Sequence, residues 1–144
     1  MIEQDTIRLL RECDAGIRMG VDSIGDVLNR VKNKDFRQIL ADCKVDHEKL
    51  KQELDQLLHK YHDQGKDPNP IAKGMSWMKT NAKLMMEESD ATVACLMTDG
   101  CNMGIKSLSK YLNQYKAADE DSKRITKELI RLEDQLIKEI RIYL

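Results

Sequence analysis

Asp14 and His47 are the ionisable residues of this chain whose placement could do chemistry, because each interrupts an apolar stripe at helical spacing. Leu10, Ile17, Ile24 and Val31 align in sevens, with Cys13, Gly20, Val27 and Asp14, Val21, Leu28 completing the same face. On a second stretch Phe36, Cys43, Leu50 and Leu57 run beside Leu40, His47, Leu54 and Tyr61. A carboxylate and an imidazole aimed into a packed interior must be paired, hydrogen-bonded or bound to a metal. With Glu133 from the last apolar stretch they make a candidate metal set, Asp14, His47 and Glu133. Imidazole and carboxylate donors suit a single divalent iron, manganese or zinc ion. The simpler reading is a buried hydrogen-bonded cluster, since pairing within the protein already offsets the burial penalty.

Other groups give weaker signals. Asp55, His59 and His62 stand near one another at helical spacing and could take up zinc or nickel, but a solvated helix end explains them as well. The cysteines, Cys13, Cys43, Cys95 and Cys101, show no CxxC spacing and read as small buried hydrophobes. Thr98 to Asn102 offers a thiol beside polar groups, yet a Cys/His nucleophile there would have to borrow His47 from across the fold. Six of the eight methionines fall between Met75 and Met103. They read as apolar filling, or, if Met75, Trp77 and Met78 are exposed, as a dimer or partner surface. Gly16, Gly20, Gly25, Gly100 and Gly104 lie in helical stretches, where four-residue spacing favours close helix approach.

Composition narrows the class. The 144 residues fit one domain, spanning 1–144. Charged residues reach 34% and aromatics only 4%, with two prolines, a helical balance. The net charge of -1, with acids and bases interleaved, draws neither nucleic acid nor an anionic membrane. No apolar run approaches the roughly 18 residues of a membrane span, and Met1 to Arg11 lacks the core of a secretory signal. These features predict a cytoplasmic protein.

The elements that must position the candidate residues are helices over about 3–32, 35–63, 71–88, 90–116 and 119–143. Asp35 is the expected N-cap of the second, Gly65 its left-handed C-cap, and Ser89-Asp90 the start of the fourth. Residues 65 to 88, with Pro68 and Pro70 extended, reach roughly 40 Å, the length of a long helix. The chain can therefore return to the opposite end of the bundle before the next long helix begins, giving an all-α four-helix bundle with one long crossover that contains an additional helix.

Several residue runs carry a family resemblance: Asp14-Ala15-Gly16, His47-Glu48-x-Leu50, Gly65-Lys66-x-Pro68, Gly74-x-x-Trp77 and Asp90. Together they resemble the small bacterial ferritin-like four-helix bundle domains of unknown function, over nearly the whole chain. The resemblance implies a ferritin-like fold and, through it, a carboxylate-bridged metal site. The wider superfamily uses Glu-x-x-His motifs on two helices. None occurs here, and all three histidines, His47, His59 and His62, lie on the second helix.

In a crossover bundle, His47, Cys101 and Glu133 come to similar heights and Asp14 stands higher, the set spanning roughly 12 Å. Two functions are expected from these residues. The first is a non-enzymatic bundle acting by self-association, as a homodimer, or by association with a protein partner. The second is a metal-binding bundle, with an oxidoreductase-like or metal-storage role, using Asp14, His47 and Glu133.

Overall fold

The computed structural model describes residues 2–66 and 89–144, and within them every regular element is a helix. They are α1 (Ile2–Leu28), α2 (Lys34–Lys60), α3 (Asp90–Gln114) and α4 (Glu120–Ile140), followed by a 3-10 turn over Arg141–Tyr143. The expected helix over 71–88, with Met75, Trp77 and Met78, lies outside the described residues.

α2, α3 and α4 each start where a short polar side chain can accept from the first turn's unpaired amides. Asn33 accepts from the Phe36 amide, Ser89 from Thr92 and Asp119 from Ser122. Two boundary expectations are corrected. The N-cap of α2 is Asn33, two residues before Asp35, because α1 already ends at Leu28 and Asp35 is free to join the first turn. The left-handed cap of α2 is His62 (φ 55), not Gly65. There His62 N–H donates to the His59 carbonyl at 3.0 Å and Asp63 N–H to the Leu58 carbonyl at 2.9 Å, closing the last turn in the Schellman pattern.

Side-chain clasps fix the directions of the helices. Asp90 accepts from the amides of Lys32 and Asn33 at 2.8 and 2.9 Å, so α2 and α3 start at the same end. The C-terminal Phe36–Tyr143 stack, centroids 4.5 Å apart, closes that end. At the other end Asp5 accepts from the Ala117 amide, Thr6 from the Asp119 amide, and Asp119 from the Tyr61 hydroxyl. α1 and α4 therefore run one way and α2 and α3 the other. α1 packs on α2 and α4 on α3, while α2 and α3 scarcely touch and occupy opposite corners.

The amphipathic stripes meet along the axis, but not as one continuous core. Near the Phe36 end, Ile24, Val27, Leu40, Val93, Met97, Leu136 and Ile140 form one apolar cluster. Towards the other end, Ile17, Leu50, Leu54, Leu108, Ile125, Leu129 and Leu132 form a second. Burial of such side chains is worth about 1.5–3 kcal/mol each, and these two clusters hold the bundle together. What separates them is polar.

Candidate functional site

On every helix the residue standing between the two apolar clusters is either a glycine or ionisable. α1 passes from Ile17 to Ile24 through Gly20, and α3 from Cys101 to Leu108 through Gly104. α2 passes from Cys43 to Leu50 through His47, and α4 from Leu132 to Leu136 through Glu133. The four make a cross-section in which each polar side chain faces a glycine. A Cβ at Gly20 would come within 3.1 Å of the His47 ring, and one at Gly104 within 2.7 and 2.5 Å of the Glu133 oxygens. Glycine in a helix interior is destabilising by roughly 1 kcal/mol against alanine. Here it is what admits the opposing side chain.

His47 is 2% exposed. Its Nδ1 lies 2.8 Å from the Cys43 carbonyl, which can only accept, so Nδ1 carries the hydrogen and Nε2 the lone pair. Burial holds its pKa below the ordinary histidine value, outweighing the bond to Cys43, and the ring is neutral. Glu133 is 8% exposed, and its Oε2 is buried without a hydrogen-bond partner among the described residues. Burial pushes its carboxyl up to about 8, so it stays protonated at neutral pH.

Cys43 and Cys101 flank this level. Burial pushes Cys43 up to about 12 and Cys101 higher still, with Glu133 adding to both. Cys13 is also raised to about 12 by burial, and its Sγ lies 2.9 Å from the Thr126 hydroxyl. Thiols held this far from ionisation are poor nucleophiles. The expectation of buried cysteines describes Cys13, Cys43 and Cys101; Cys95 is half-buried.

Asp14 stands apart from this layer. It lies six residues before Gly20 on α1, about 9 Å along the axis, and is completely buried. Its Oδ1 accepts from Lys51 Nζ at 3.1 Å, and its Oδ2 from the Lys66 amide at 3.0 Å. Arg18 places a guanidinium nitrogen 3.0 Å from Oδ2. Gly65, at φ +81, approaches so closely that a Cβ there would lie 2.8 Å from the Asp14 Cγ and nearer still to Oδ2. Gly65 is thus left-handed for the sake of Asp14 rather than to cap α2.

The structure brings His47 and Glu133 to one level and places Asp14 in a separate ion-paired cluster. Among the described residues no group of three or more His, Cys, Asp or Glu side chains could hold a metal ion. Asp55 pairs with Lys51 at 2.9 Å, and His59 is exposed on the outer face. Sequence reasoning missed Arg18, Lys51 and Lys66. The i,i+4 spacing of Asp14 and Arg18 was the one available signal, whereas Lys51 and Lys66 reach Asp14 only through folding. Among the described residues no helix is long and apolar enough to cross a membrane. Comparison with protein-family models, curated proteins and solved structures finds no match to this chain.

Proposed function

We propose that this protein is a ferritin-like bundle with one long crossover, and that it works by association, with a second copy or a protein partner, rather than by catalysis. The shared starting end of α2 and α3 supports the crossover, since the connection between them must return the length of the bundle. The observation that carries the functional reading is the condition of the buried groups. Asp14 is saturated by Lys51, Arg18 and the Lys66 amide, His47 is neutral, and the buried thiols are held far above the range in which they react. These groups are engaged in folding, which leaves the surface for recognition. Val45, Met103, Ile142 and Leu144 stand exposed on it, from 48% to 80%. A cytoplasmic setting fits thiols kept reduced.

Sedimentation equilibrium tests this reading. Met103→Glu and Ile142→Glu are both surface changes that leave the core intact. A wild-type dimer, or a stable complex with a partner, that either change dissociates supports association. A monomer at every concentration that retains no partner overturns it.

A second reading, a divalent metal site for iron, manganese or zinc, draws on one specific feature of the glycine-framed layer. The Nδ1–H of His47 is anchored on a backbone carbonyl, the arrangement that orients a ligating imidazole, and Glu133 Oε2 has no partner among the described residues. His47 and Glu133 supply two donors, fewer than the four of a closed structural zinc site. Solvent would complete the shell, with Asp14 withheld by its cations. Elemental analysis decides: stoichiometric metal lost in His47→Ala supports this reading, and metal-free protein after growth in supplemented medium refutes it.

A further inference from the structure

Beyond α2 the chain turns back onto α1 through residues that are all polar or glycine: His62, Asp63, Gln64, Gly65 and Lys66. Their grip on α1 contains no buried apolar side chain, the last core residue of α2 being Leu58. Arg11 Nε donates to both oxygens of Asp63 at 3.1 and 3.0 Å, and Lys66 Nζ lies 2.6 Å from Glu12. Asp63 in turn accepts from the Gly65 amide at 2.9 Å, which shapes the turn. The innermost contact is the Lys66 amide on the fully buried Asp14. Arg11 and Lys66 are roughly half-exposed, at 47% and 46%, so their pairs are weak and open to screening by salt.

We infer that residues 63–66 are a releasable clasp, a polar strap that closes over the Asp14 carboxylate and opens as a unit while the bundle stays folded. Two features make the opening independent of the core. The strap itself carries no apolar side chain, and what it uncovers of the core is the Leu58 Cδ1 methyl, which would lie 3.2 Å from a Cβ at Gly65. Asp14, when uncovered, keeps Lys51 and Arg18, so no isolated charge is left behind. Gly65 supplies the close seat in the shut state, because any side chain would collide with Asp14. Local opening of this kind belongs to segments with few buried apolar contacts.

Amide hydrogen exchange of the whole protein by NMR tests the clasp. The Lys66 amide is the reporter, and the α2 and α4 amides of Leu54 and Leu129 are the reference. The Lys66 amide is expected to be protected, yet to exchange at a rate that low urea does not change, while Leu54 and Leu129 exchange faster as urea rises. Asp63→Asn, which removes the charge that half-exposed Arg11 pairs with and keeps the shape of the side chain, is expected to speed Lys66 exchange about two- to fivefold, the worth of one such pair, and to leave Leu54 and Leu129 unchanged. Salt at about 1 M should act in the same direction in the wild type. A Lys66 amide that follows the urea dependence of Leu54, or one with no protection at all, overturns the clasp. So does an Asp63→Asn effect spread equally over the core amides.

Discussion

Glu133→Gln should remove a large part of the pH dependence of this protein's stability. The carboxyl keeps its proton up to about pH 8 in the folded chain, against an ordinary value of 4.5. Between those values the folded state holds a proton that the unfolded chain has released. The stability that Glu133 contributes is therefore full below about pH 4.5, falls by about 1.4 kcal/mol per pH unit, and stops falling once pH passes the folded value. The accumulated loss is about 3 kcal/mol at pH 7 and about 5 kcal/mol well above pH 8. Glutamine keeps the shape that Gly104 admits and removes the titration. Urea unfolding of both proteins at pH 5, 6, 7 and 8 isolates the effect, because groups other than Glu133 cancel in the difference. The variant should gain about 3 to 4 kcal/mol on the wild type from pH 5 to pH 8. A difference that stays level over that range would show that Glu133 is ionised in the folded protein, and would refute its burial as a neutral carboxyl.

Gly65→Ala forces a side chain into a left-handed position and against Asp14, and should lower the urea-derived stability by about 2 kcal/mol or more. Asp14→Ala removes one carboxylate partner from each of the part-exposed cations Lys51 and Arg18 and the acceptor of the Lys66 amide; a loss of about 2–3 kcal/mol is expected by the same assay, and a loss below about 0.5 kcal/mol would discount the cluster. His47 is held neutral by burial, so its contribution is complete above about pH 6.5 and is lost as pH falls; its imidazole carbon protons should titrate below the ordinary histidine range by NMR, and a midpoint at or above 6.5 would contradict the burial. With a disulfide reagent at pH 8, Cys13, Cys43 and Cys101 should react only as fast as the protein unfolds, and rapid labelling of any of the three would contradict their burial.

Much of the architecture was legible because helical periodicity is a local property. The stripes from Leu10 to Leu28 and from Phe36 to Leu54 announced α1 and α2, and Ser89 marked the start of α3 through a side chain that bonds within three residues of itself. The burial of Asp14, His47 and Glu133 could be anticipated for the same reason: Asp14 and His47 sit on their helices' inward faces, and Glu133 on the last apolar stretch. Where periodicity gives only a face, it misled slightly, as with the cap of α2, placed at Gly65 when the chain left the helix at His62.

Partnership, by contrast, is not a local property. No spacing could show that Lys51 and the Lys66 amide converge on Asp14, or that Gly20 makes room for His47 and Gly104 for Glu133, because those pairs are joined by helix packing across the bundle. The amino-acid order alone determined which residues turn inward, through the 3.6-residue repeat that each helix carries by itself. Only the assembled bundle decided which of them meet, since axial register arises from the fit of one helix against another. That register put Asp14 among cations, about 9 Å from the layer where His47 and Glu133 sit.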